Sequence, residues 1–390
     1  TSRILGRELE FMKDAIKLRN RFITIAVILI SAAFLLHWLK VEGERDRVFM
    51  LVIKVTYENK GENVWFLRES DGMIGLFMNN SWQTVYLVNT SHSIERFNSD
   101  ANGNPIILLN LMKERLLPGE RISYSATYKM VFKRRHLPTL SETSSGTLND
   151  IPEDLKRKYC GPTSFWQSNL SILENEARRI VGTETKVLTI IRWIIRWIAS
   201  NILYAPSEIP KYPIETFSSG LGDCDDQSNL LITLCRIVGI PAYLQLGCIY
   251  VPHHNQSSYL WSKHLSLRED GVSWHGWAII YIPPWGWLPV DPTCVSSVLL
   301  RTDQLNAILY SAVMQYYTFQ YMNITVTDYI AEIRGVKEFL ESNGFYICRE
   351  SVMWEVKSQN PPQIKIPLLL ITTQSLWVKR RLLLSAGLSL

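Results

Sequence analysis

From Gly222 to Pro241 the order of residues leaves the backbone one economical choice, a helix that begins on a cysteine. Asp223 is placed to cap that helix, and Asp226, three residues on, completes the spacing of a capping box. Leu230, Leu231, Leu234 and Val238 supply an apolar face, and Gly239 before Pro241 ends it. Cys224 therefore falls in the first helical turn, where unpaired backbone amides carry partial positive charge and favour an ionised sulfur. Asp225 and Asp226 oppose that effect as like charges, so the sulfur needs a cationic partner, and a histidine is the natural one. Gly222 permits close backbone approach, which would let amides around Cys224 face a developing oxyanion. Alone, a cysteine at a helix start is more often a packed thiol than a nucleophile, so its surroundings have to decide.

Those surroundings follow downstream. Trp274-His275-Gly276-Trp277-Ala-Ile-Ile-Tyr-Ile282 has strand character, Pro283-Pro-Trp-Gly286 reads as a turn, and Trp287-Leu-Pro-Val-Asp291-Pro292-Thr293 returns. Two antiparallel strands joined there set His275 beside Asp291. This is the logic of a nucleophile, a base and a group that orients the base: one ring nitrogen reaches the thiol, and a carboxylate holds the other. A histidine near an aspartate is ordinary among seven histidines; the three residue types in this order are not.

The rest of the chain sets the frame. Phe22 to Leu39 reads FITIAVILISAAFLLHWL. Eighteen residues at ~1.5 Å each come close to the roughly 30 Å of a bilayer core, which predicts one transmembrane helix over 22–39. Lys and Arg are richer in residues 1–21, so 1–21 reads as a cytoplasmic tail and the body as extracytoplasmic, on a single-pass cell-membrane protein. Sequons at Asn79, Asn89, Asn169, Asn255 and Asn323 agree weakly with export. Residues 46–141 hold several short alternating segments with turns at Asp71-Gly72, Asn102-Gly103 and Pro118-Gly119, predicting a β-sandwich-like domain. Residues 136–153 read as a linker.

Thr185–Ser200 is the strongest helical pattern; its broad apolar face suits a core helix, and a membrane-surface helix is the rival reading. The polar stretch around His253, His254 and His264 reads as a surface loop, or a lid over the site, and lacks the carboxylate or cysteine set of a metal centre. Helices are expected near 303–318 and 327–342, then a strand near 345–356. The apolar run 366–377 is too short to span a bilayer and suits a surface-lying or packed segment. Six cysteines without a CxxC pair leave room for one or two disulfides. The net charge of +5, from 41 basic and 36 acidic residues, comes without a basic stripe interleaved with aromatics, which argues against nucleic-acid binding.

GDCDDQSNLLITLCRIVGIPA (222–242) and HGWAIIYIPPWGWLPVDPT (275–293) resemble the cysteine, histidine and aspartate motifs of the transglutaminase-like superfamily. The resemblance covers roughly 185–295 and implies an α+β fold, a papain-like core over 142–300 after the β-rich domain, as in membrane-bound prokaryotic members. Residues 301–390 are then a C-terminal extension of unassigned role, packed on the core or on the membrane surface. It implies Cys224 as nucleophile, His275 as general base and acid, and Asp291 as the orienting residue, with no cofactor and no metal. The expected activity is a cysteine peptidase or amidase acting on a protein or peptide amide carbonyl through a thioester. Protein-glutamine amine transfer uses the same first half-reaction, and an inactive interaction module is the reading from another class.

Overall fold

The computed structural model describes residues 46–135, 138–296 and 304–356. The segment 22–39, the tail 1–21 and the run 366–377 lie outside the described residues. Among the described residues no helix is long and apolar enough to cross a membrane.

Alternating residues make three long strands in the N-terminal part: β1 (Arg47–Asn59), β2 (Gln83–Thr90) and β3 (Arg121–Phe132). In β1, Phe49, Leu51, Ile53 and Tyr57 point inward, the period-two pattern of a strand with one buried face. Three shorter strands, Met73–Gly75, Ile94–Ser99 and Pro105–Leu109, form a small second sheet. Ile74, Ile107 and Leu109 from it share one core with Phe49, Leu51, Tyr128 and Met130 of the long strands.

Next come α1 (Ser171–Val181), α2 (Val187–Asn201), β4 (Leu203–Tyr204), α3 (Pro213–Ser219), β5 (Leu221–Gly222) and α4 (Cys224–Ile237). The expected helix at 185–200 is α2. Val187, Leu188, Ile190, Ile191, Ile194, Ile195 and Ile198 are fully buried in the second core beside Leu230, Leu231 and Leu234 of α4. That face is occupied by protein, so the core-helix reading stands and the membrane-surface reading does not.

The hairpin of β6 (Ala242–Leu260) and β7 (Leu265–Ile282) ties the molecule together. Its base carries the helical core, and β8 (Gly286–Val290) returns along the end of β7, Ala278 opposite Val290. The stretch 253–264 is therefore neither a loop nor a lid: it is mostly the tip of this hairpin, with a register shift between Tyr250 and Asn255. Its polar residues alternate outward while Leu260, Leu265 and Leu267 turn into the first core, so composition hid a strand. His254 there faces Glu269 at 3.5 Å, and His264 Nδ1 bonds the Phe345 carbonyl at 2.8 Å.

After β8 the first expected C-terminal helix is replaced by two four-residue turns of helix, Asn306–Leu309 and Ala312–Gln315, and strand β9 (Thr318–Ile324). Phe319 is fully buried and Tyr321 nearly so in the first core, and β9 pairs with β6; strand pairing overrides the helical reading. The second expected helix is α5 (Tyr329–Asn343), capped by Asp328 accepting from the Ala331 amide at 3.0 Å; β10 (Phe345–Glu355) follows. β10 pairs parallel with the first part of β7 and antiparallel with β1. One eight-stranded sheet results, in the order β9-β6-β7-β10-β1-β3-β2 with β8 on β7, so the β-rich segment is stitched edge-on to the core.

Candidate active site

The helix start is built as its residues dictate. The Asp223 amide donates to Asp226 Oδ2 at 3.3 Å and the Asp226 amide to Asp223 Oδ1 at 3.5 Å, the reciprocal bonds of a capping box. Gln227 Nε2 holds the Gly222 carbonyl at 2.9 Å, and Ser228 Oγ holds that of Cys224 at 2.7 Å. A Cβ on Gly222 would come within 2.8 Å of Asp226 Cβ and 2.9 Å of Thr216 Cγ2, which is why the turn into α4 takes glycine. Cys224 sits at the first helical position and is 1 % exposed.

β7 brings His275 to the same place. A Cβ on the next residue, Gly276, would lie 3.0 Å from Asp225 Cβ, so glycine is what allows α4 to press against the strand. His275 Nε2 lies 2.8 Å from Asp291 Oδ2, and the His275 side chain also hydrogen-bonds Cys224. With Nε2 engaged by the carboxylate, Nδ1 is the nitrogen left for the sulfur. Asp291 is itself fixed: Oδ1 accepts from the Thr293 amide at 3.0 Å and from Thr293 Oγ1 at 2.5 Å, and Oδ2 also accepts from Cys294 Sγ at 3.4 Å. Cys224, His275 and Asp291 are thus brought together.

Burial alone would push the His275 pKa down. The charges of Asp291 and Cys224, with hydrogen bonds to both, outweigh it and lift the value well above that of an ordinary histidine. Burial would raise Asp291, but the His275 charge and the bonds from His275, Thr293 and Cys294 hold it below its usual range. The acids at the helix start move the other way. Burial, then the charges of Asp225, Cys224 and Asp226, drive Asp223 well above a normal carboxyl, and burial with Asp225 pushes Asp226 up to about 6 against the pull of Lys211. Side-chain donor atoms of Asp223, Cys224 and Asp225 lie within 4.8 Å of one another, so the sulfur stands in a buried acidic cluster.

Three neighbours escape a sequence reading. Tyr204 is opposite Gly222 in the β4–β5 pair, and burial and the charges of Cys224, Asp223, Asp225 and Asp291 raise its phenol pKa strongly. Asp225 Oδ2 accepts from the Tyr329 hydroxyl at 2.7 Å, and that hydroxyl accepts from Asn229 Nδ2 at 2.9 Å. The four-residue step from Asp225 to Asn229 was the one readable sign of this network; Tyr329 reaches it from the start of α5. No disulfide joins any of the six cysteines, so the bridges allowed by sequence are not formed. Cys235 and Cys248 are fully buried in different cores, which keeps them apart.

Residues 174–292 match the model of the transglutaminase-like superfamily. No curated protein matches the chain. Among solved structures, a candidate cysteine protease from Cytophaga hutchinsonii is similar at 16 % identity over 83 % of this chain and 95 % of its own, with a TM-score of 0.49. A candidate protease from Parabacteroides distasonis is similar at 10 % identity over 54 % of this chain and 63 % of its own, with a TM-score of 0.19. The matched segment runs from α1 to the residue after Asp291, and the fold it carries is a mixed α and β transglutaminase-like core with a buried cysteine beside an acidic cluster.

Proposed function

We propose that this protein is a cysteine-dependent hydrolase of amide or peptide bonds, held at a membrane by the apolar run 22–39. The observation that carries the reading is the hydrogen-bonded chain Asp291–His275–Cys224 at the start of a helix. The Cys224 sulfur, its proton already held by His275 Nδ1, adds to the substrate carbonyl carbon as the carbonyl π pair moves onto oxygen. Backbone amides at the start of α4 and the Tyr204 hydroxyl, which stays protonated, are the donors for that oxyanion. As the carbonyl re-forms, the C–N bond breaks and His275 gives its proton to the leaving amine. Water then adds to the thioester, losing a proton to His275; the C–S bond breaks, the sulfur regains a proton, and a carboxylic acid departs. Burial of Cys224 and His275 strengthens each charge interaction along this path.

A primary amine in place of that water gives the transferase reading. The buried Asp225 side chain beside the sulfur suits an amine-bearing group there, which is the observation on its side. Incubating the full chain with a mixture of peptides in heavy-oxygen water separates the two. The hydrolase reading expects one heavy oxygen in each new carboxylate, still present when a primary amine is added, and none with Cys224→Ala. Conversion of the acid product to an amine adduct on adding the amine would replace hydrolysis by transfer.

A further inference from the structure

The outer face of the sheet is divided along its strands rather than evenly mixed. On the half where β1 begins and β10 ends, the outward side chains are mainly apolar: Val48, Met50 and Val52 of β1, Val352, Trp354 and Val356 at the end of β10, Val131 of β3 and Tyr86 of β2, with Thr127 and Lys129 of β3 and Thr84 of β2 among them. Tyr86, Val352, Trp354 and Val356 are 54 %, 39 %, 44 % and 43 % exposed. On the other half the same strands present Lys54, Glu350, Thr56 and Ser123, with the Lys54–Glu350 pair at 3.0 Å and Thr56 bonded to Ser123 at 2.8 Å. Folding within the sheet has no use for such a division, because the buried face is the opposite one. An aromatic residue ringed by valines, with water-facing polar residues beyond, matches the chemistry of a membrane interface.

Charge and connectivity point the same way. Lys129 projects from this half, and Lys133 follows just beyond β3 with its ammonium on the Asn80 carbonyl at 3.1 Å. Glu355 is paired with Arg47 at 2.6 Å, and the exposed Asp270, opposite Val352 in the β7–β10 pair, is an acid at the β7 edge of the patch. The amide of Val356 bonds the Val48 carbonyl at 2.8 Å, so the chain enters and leaves the sheet side by side at this end. In sequence, residues 40–46 are all that separate the apolar run 22–39 from Arg47, and the apolar run 366–377 follows soon after Val356.

We infer that this half of the sheet face, centred on Trp354 with Val352, Val356, Met50 and Lys129, rests on the surface of an anionic lipid bilayer. The inference rests on the membrane-anchor part of the proposed function and adds to it the face of the body that meets lipid. Anionic headgroups meet Lys129 and Lys133, while Trp354 and the valines settle at the boundary of the acyl region.

The test uses the full chain in vesicles of phosphatidylcholine and phosphatidylglycerol containing brominated lipid. Bimane is attached to Trp354→Cys or to Phe97→Cys, a site 69 % exposed on the small sheet across the core, with the signal of the unsubstituted chain subtracted. Loss of bimane emission at position 354 and none at 97, weakened by Lys129→Glu or by omitting phosphatidylglycerol, is the expected result. Emission at 354 unaffected by brominated lipid overturns the inference, including the case in which that bimane is shielded from aqueous acrylamide, because a second copy or another segment of the chain then covers the face. An alkaline carbonate wash reports on the anchor separately. A chain that resists the wash without quenching at 354 keeps the anchor and loses the surface; a chain that washes off after quenching at 354 keeps the surface and loses the anchor.

Discussion

At His275 burial and charge pull in opposite directions, and charge wins: the imidazole is held well above its usual value by Asp291 and Cys224. Such a histidine contributes stability that is complete below the unfolded value near 6.5 and fades as pH climbs through the raised folded value. Asp291, held low, contributes stability that is complete above about 3.8 and is lost as pH falls through its depressed value. Activity that needs the imidazolium as acid therefore persists above the ordinary histidine range. Asp291→Asn should move the alkaline limb of the pH–rate profile to lower pH and cut kcat by about 10²–10⁴-fold, as loss of an orienting carboxylate does elsewhere. An unshifted limb would mean that Asp291 does not act through His275. Tyr204→Phe should lower kcat by about 10–10³-fold with little change in KM, since the hydroxyl is assigned to the oxyanion and not to the bound substrate. An effect confined to KM would reassign it.

At the scale of elements, α4 is where local chemistry decides most. Asp223, Asp226 and Gly239 mark its ends in the sequence, and the helix runs Cys224–Ile237 because caps act over three or four residues. Gly222→Ala places a methyl against Asp226 and Thr216. It should cost about 1–3 kcal/mol of stability in a denaturant titration and at least a tenfold loss of kcat, because the first turn has to shift. Wild-type kinetics in that variant would show that the turn tolerates displacement. The hairpin β6–β7 shows the opposite situation. His275 and Asp291 were legible because two apolar strands meet at a short turn, whereas the tip at 253–264 was hidden by its polar composition. Its strand identity comes from pairing with the start of β7, from Asn255 opposite Asp270 to Leu260 opposite Leu265, and that part of β7 is held in turn by β10. The Asp225–Tyr329 bond was unreadable for the same reason, since its second half arrives with α5.

For the whole molecule, β10 is the element that joins a β-rich segment and a helical core in one sheet, and the described residues from Arg47 onward cluster as one compact unit. Short strands and turns in 46–141 announced their presence in the sequence, but not the parallel contact that joins them to β7, which no local pattern encodes. Phe49→Ala, in the core that does not hold α4, should cost about 3–5 kcal/mol and lower the melting of fluorescence and the loss of activity together, in one transition. Activity surviving past the unfolding of the β-rich strands would show two independent units.

All of these readings depend on one sulfur. Mass spectrometry of the full chain treated with a peptide aldehyde or another thiol-directed carbonyl probe tests it most directly. A single adduct is expected on the peptide containing Cys224, absent from Cys224→Ala and greatly slowed in His275→Ala, with Cys160, Cys294 and Cys348 unmodified. An adduct that survives Cys224→Ala, or forms at the same rate without His275, would contradict it.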